Sequence, residues 1–172
     1  MKRRVSTALV GVASMALTVF IVKAQQQSKK ENAVGSRNHE EMNKRGDHVM
    51  GFDHTKTTHH FRLSPQGGTI EVTANSSEDS ESRDQIRSHL GHISKKFAAG
   101  DFNAPMLIHE QTPPGVPLMQ KLKSEIDYRF EETERGATVH ISTTNSKALQ
   151  AIHKFLRFQI KEHKTGDSLE VR

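Results

Sequence analysis

The sequence predicts an α+β fold, a duplicated β-hairpin–helix unit (ββα-ββα) that forms a four-stranded antiparallel sheet with its helices on one face. Three observations predict it. Twice, apolar and polar residues alternate on either side of a glycine-bearing turn, the pattern of a β-hairpin. Each hairpin is followed by apolar residues at helical spacing. The two copies also keep step: Gly68 and Gly136 are 68 residues apart, and the helix stops Gly100-Asp101 and Gly166-Asp167 are 66 apart. A chain of 172 residues has room for one such domain and a tail.

The first 24 residues read as an export signal. Met1-Lys2-Arg3-Arg4 is a basic n-region, Val5 to Val22 is uncharged and mostly apolar, and Ala24 offers a small residue for cleavage. The rival reading is an uncleaved membrane anchor, since 18 apolar residues are just long enough to span. Both place the remainder outside the cytoplasm, periplasmic or secreted. Residues 25–49 are polar and offer little to bury, so the composition predicts a disordered linker. The folded domain is expected over 50–172.

The first hairpin runs from His59-His60-Phe61-Arg62-Leu63 through Ser64-Pro65-Gln66-Gly67-Gly68 to Thr69–Ala74. The helix after it carries Ile86, Leu90, Ile93 and Phe97 on one stripe. Pro105, Pro113, Pro114 and Pro117 break up the connection between the halves. Pro117 suits the first turn of a short helix, Leu118 to Lys123. Met106-Leu107-Ile108-His109 is too apolar for full solvation and is expected to lie across the domain, as a loop or short edge strand. The second hairpin runs from Ile126–Phe130 through Glu134-Arg135-Gly136 to Thr138–Ser142. Its helix carries Leu149, Ile152, Leu156, Ile160 and His163.

Composition removes several function classes. The net charge of +5 arises largely in the first 24 residues, which hold four basic side chains and no acid. The rest is nearly neutral, so no basic face for nucleic acid is expected. With no Cys, disulfides, thiolate metal sites and a cysteine nucleophile are excluded. The fold must therefore rest on packing. No G-x-S-x-G, phosphate loop or dinucleotide fingerprint is present.

The remaining chemistry lies in 11 histidines. His89 and His92, three apart on a helix, can turn two imidazoles toward one ion. The helix leads into a segment carrying Met106 and His109. With His60 (or its strand neighbour His59) these residues form a candidate site for copper, which His/Met ligation suits, or for zinc. The competing reading is packing. If the Gly-Asp stops are aligned, the second helix has Phe155 and Phe158 where the first has His89 and His92.

The strings Thr57-Thr58-His59-His60-Phe61, Ser82-Arg83-Asp84-Gln85-Ile86-Arg87, Gly100-Asp101-Phe102, Pro113-Pro114-Gly115-Val116-Pro117 and Ala151–Ile160 resemble a family of small secreted bacterial proteins of unassigned activity. The resemblance covers about Met50 to Asp167, nearly the whole domain. Some members carry an aspartate carbamoyltransferase label. This chain departs from that enzyme: the S-T-R-T-R carbamoyl-phosphate loop is absent and the chain is about half the needed size. No functional residue carries over.

The sequence thus predicts an exported, non-enzymatic domain that binds a small ligand or a copper or zinc ion, or that serves another envelope protein. Membrane contact is expected only through an uncleaved N-terminal segment. A small periplasmic hydrolase with a histidine base and a pure interaction module are the alternatives.

Overall fold

The computed structural model describes the backbone of residues 10–172, and side chains from Gln25 onward except Gln26 and residues 31–34. The expected export signal, 1–24, falls outside the described residues but for the backbone of 10–24. The elements are α1 (Val10–Met50), β1 (Thr57–Ser64), β2 (Gly67–Ala74), α2 (Ser80–Ala98), α3 (Asn103–His109), α4 (Val116–Lys121), β3 (Asp127–Thr133), β4 (Gly136–Ser142) and α5 (Ser146–His163). Among the described residues, no helix is long and apolar enough to cross a membrane.

Residues 25–49 run within α1. The segment has three Gln, three Lys, three Glu and two Arg, all good helix formers, and no proline. The chain divides into two compact units, Met1–Glu41 and Met42–Arg172. Met42 is buried, and the Arg45 guanidinium donates to the Ile108 carbonyl at 3.0 Å, tying the end of α1 to α3.

Within Met42–Arg172 the sheet is antiparallel in the order β1-β2-β4-β3, so β2 and β4 form its centre. The two halves repeat in detail. Phe61 pairs with Ile70 in the first hairpin as Phe130 pairs with Val139 in the second, and Ser64 pairs with Gly67 as Thr133 pairs with Gly136. The register thus matches Gly136 to Gly67, not to Gly68. Both glycines are required by close approach. A Cβ on Gly67 would stand 1.9 Å from the Ile141 carbonyl oxygen, and one on Gly136 would stand 2.1 Å from that of Val72.

The helices are exchanged between the halves. α2 packs chiefly on β4 and β3, and α5 on β1 and β2. Each starts on a side-chain cap: Asp79 accepts from the Ser82 N–H, and Asn145 from the N–H groups of Lys147 and Ala148. Aligning the caps superposes buried Ser82, Ile86 and Leu90 on Ala148, Ile152 and Leu156. Each helix also clamps the opposite turn. Arg87 of α2 donates to the carbonyls of Thr133 and Gly136, while His153 of α5 bonds those of Ser64 and Gly67 at 3.0 and 3.1 Å. Arg87 and His153 are matched positions, and so are the carbonyls they hold.

The segment around Met106 is a short helix, α3, rather than a loop or edge strand. Pro105 lies in its first turn, where a missing N–H costs nothing. Burial of Ile108 and His109 holds α3 against the domain, while Leu107 is 61% exposed. α4 forms close to expectation, with Pro117 in its first turn.

The sheet's outer edges differ. Beside β1, the Asp167 carboxylate accepts from the Phe61 N–H at 3.0 Å, and the Arg172 N–H donates to the Leu63 carbonyl at 3.3 Å. β3 carries Asp127, Arg129, Glu131 and Glu132, charges that discourage pairing with another strand.

Candidate functional site

Between sheet and helices lies a cavity of about 60 Å³. Its polar lining is His59 from β1, His89 from α2, His109 from α3, and Gln159 and His163 from α5; the walls are otherwise mostly apolar and include no Asp, Glu, Lys or Arg. Strand alternation turns His59 inward with buried Phe61 and Leu63. The last turns of α5 bring Gln159 and His163 onto the same space.

The imidazoles are in mutual contact. His163 stacks on His59 with ring centroids 5.6 Å apart and meets the edge of His109 at 5.1 Å. Phe52 packs on His59 at 5.8 Å and on His89 at 5.7 Å. His109 is 8% exposed, and its Nε2 lies 3.0 Å from Gln159 Oε1. That oxygen only accepts, so Nε2 carries the proton and Nδ1 keeps its lone pair. Three buried polar atoms here have no partner: His59 Nε2, His109 Nδ1 and Gln159 Nε2. Native interiors rarely leave such groups unpaired.

Burial keeps these rings neutral. It lowers His59 to about 4, with the positive charge that His89 and His60 can carry adding to the effect. It lowers His89 likewise to about 4, helped by His92. His109 is lowered as well, burial outweighing the opposing bond to Gln159. Neutral imidazole is the form that binds metal.

The repeat supplies an internal control. Register and caps match His59 to Tyr128, His89 to Phe155, Gln159 to Ile93 and His163 to Phe97. The twin corner is a packed aromatic cluster, with Phe97 6.0 Å from Tyr128 and 5.9 Å from Phe155. Its single polar side-chain atom, Tyr128 Oη, is buried without a partner, and burial pushes that phenol well above its usual value. The same framework is therefore filled by hydrocarbon in one corner and by imidazole and amide in the other.

Of the five residues predicted as ligands, His89 and His109 meet at this cavity and the other three do not. His60 faces the opposite side of the sheet, its Nδ1 2.9 Å from Asp167 Oδ1. His92 is exposed, with its Nδ1 bonded to the Ser88 carbonyl at 2.7 Å. Met106 is half-buried and does not line the cavity. Helical spacing placed His89 and His92 on one flank, but the stripe's edge falls between them. Gln159 and His163 were missed as site residues. The alignment that opposes His89 to Phe155 also opposes them to Ile93 and Phe97, and that was the available signal.

Elsewhere among the described residues, Asp47, Asp53 and His54 bring three ligand atoms within 4.8 Å of one another. These groups already have structural work. The Asp47 carboxylate accepts from the His54 backbone at 2.8 Å and meets the His54 ring at 2.8 and 2.9 Å. Asp53 caps the short 3-10 turn His54–Lys56 through Thr55.

No protein-family model, curated protein or solved structure matches the chain.

Proposed function

We propose that this is an exported, non-enzymatic domain that binds a transition-metal ion through the histidines of the cavity, with His59, His109 and His163 as ligands and His89 as a neighbour. The observation that carries the reading is a pair of buried, unpartnered imidazole nitrogens, His59 Nε2 and His109 Nδ1, at one cavity. If these rings only filled space, the twin shows that Phe and Tyr do so on the same backbone. Size favours an ion over an organic ligand. The cavity measures about 60 Å³, against roughly 300–1,000 Å³ for small-molecule pockets. The N-terminal sequence pattern supports export.

The alternatives have less support. A hydrolase needs a nucleophile or an acid beside its histidine base, and no Ser, Asp or Glu lines the cavity. An edge-pairing module needs a free strand edge, whereas backbone and side-chain bonds from Asp167 and Arg172 occupy part of β1's edge.

Thermal unfolding of the full chain in detergent, with and without Cu or Zn, tests the proposal. An ion at a hundredfold excess over its Kd stabilises by about 2.7 kcal/mol, a Tm shift of several degrees. The shift is expected to vanish in His59→Tyr and His163→Phe. A shift that persists in both, or none in the native chain, contradicts the reading.

A further inference from the structure

The two outer strands of the sheet are protected in different ways, and the repeat makes the difference readable. The register matches His60 and Leu63 of β1 to Arg129 and Glu132 of β3. At those positions β3 has fixed charges, the ordinary guard of a strand edge, and β1 does not. β1 has a strap instead. After α5, Lys164 and Gly166 take left-handed conformations, with φ of 51° and 77°, and turn the chain back toward β1. The Asp167 carboxylate accepts from the Phe61 N–H at 3.0 Å and meets His60 Nδ1 at 2.9 Å. The Arg172 N–H reaches the Leu63 carbonyl at 3.3 Å. Leu169 packs on the core, and its carbonyl accepts from the Arg157 guanidinium at 2.8 Å. The matched acid of the first half, Asp101, stays at its own helix end, bonded to Lys96 and to the Asn103 N–H.

We propose that residues 167–172 are a displaceable strap over an edge that pairs with β1 of a second copy of this chain. Strand alternation points the backbone N–H and C=O groups of Phe61 and Leu63 away from β2, and those of His59 with them. This edge is self-complementary. An antiparallel two-fold axis at Phe61 sets His59 of each copy opposite Leu63 of the other. Between them His60 faces Arg62, and Thr58 faces Ser64, so no fixed charges of one sign are opposed. A paired strand satisfies the outward groups at all three residues. The strap reaches the β1 backbone through only two of the bonds above, one at 3.3 Å, and its Val171 is 41% exposed. Within one chain the strap prevails because it is always at hand, at a high effective concentration. Once it is lifted, the edge takes the second copy by strand addition. This contact is independent of the metal ion.

The test is sedimentation velocity of the full chain in detergent, beside the same chain lacking residues 167–172. The shortened chain is expected to dimerise about tenfold or more tightly than the native one, the factor that follows from freeing groups held by two hydrogen bonds. Asp167→Ala, which keeps Leu169 on the core, is expected to shift the equilibrium the same way by less, and it carries the test if circular dichroism finds the shortened chain unfolded. Register is read by cross-linking. The chain has no Cys, so Thr58→Cys with Ser64→Cys introduces the sole thiols. In the dimer these two positions oppose each other as a non-hydrogen-bonded pair, about 4.5 Å between Cα atoms and within disulfide reach. Oxidation is expected to give a covalent dimer from the shortened chain and little from the native one. A folded variant that associates no more than the native chain overturns the strap. A dimer that does not cross-link overturns the surface.

Discussion

In the Phe97 corner, Phe97, Phe102, Phe155 and Tyr128 fill the space between α2, α5 and β3 with rings. In the His163 corner, matched backbone positions carry His59, His89, Gln159 and His163, and the space of about 60 Å³ that they line is also bounded by Phe97 and Phe155. The strands pair in the same register and the helices start on the same kind of cap. The difference is therefore one of side-chain chemistry on a repeated frame. It separates what the fold needs, which both corners supply, from what only one corner has.

The largest expected effect breaks the frame itself. Gly67→Ala and Gly136→Ala each drive a Cβ into a carbonyl oxygen, at 1.9 and 2.1 Å. Both should destabilise by about 3 kcal/mol or more, the upper range for overpacking. Denaturant unfolding that finds either one neutral would deny that the halves share this constraint.

Acid should separate the corners next. Below about pH 6.5 the unfolded chain takes up protons at His59 and His89 that the folded chain refuses until about pH 4. Stability conferred by the neutral rings is thus full above pH 6.5 and is lost as pH falls toward 4, on the order of 3 kcal/mol per ring. Urea midpoints measured across that window should fall steeply in the native chain and less in His59→Tyr. Equal slopes would place the titrating groups elsewhere.

Exchanging chemistry between the corners sharpens the comparison. Phe97→His buries an imidazole in the aromatic cluster and should cost about 3 kcal/mol. The reciprocal His163→Phe should cost less than Phe97→His while abolishing metal binding. Comparable losses in calorimetric stability from both would mean that the histidine corner is shaped by packing alone.

The turn clamps give the smallest effect. Arg87→Ala should cost about 1.5 kcal/mol and His153→Ala about 1 kcal/mol, since the guanidinium bonds are charge-assisted. A much larger loss at His153 in thermal unfolding would contradict the equivalence.

Much of the frame was legible in the sequence. Alternation around Gly68 and Gly136 and the stripes through Leu90 and Leu156 gave the hairpins, the helices and the duplication, because these follow from local periodicity, while the register moved the first matched glycine to Gly67. The exchange of helices was not legible, since no local pattern records which hairpin a helix packs on. α3 was not legible because Pro105 reads as a helix breaker, although it fits a first turn. At the site, spacing found His89 and connectivity found His109. His60 was offered together with His59, and only the strand's side in the folded sheet separates them. Gln159 and His163 were hidden inside an apolar stripe whose matched positions in α2 are Ile93 and Phe97.

A crystal structure of the chain grown with copper and read by anomalous scattering tests the central claim most directly. The account predicts one strong peak in the cavity, within bonding distance of His59 Nε2 and His109 Nδ1. A peak at Asp47, Asp53 and His54 instead, or none near the cavity, would contradict it.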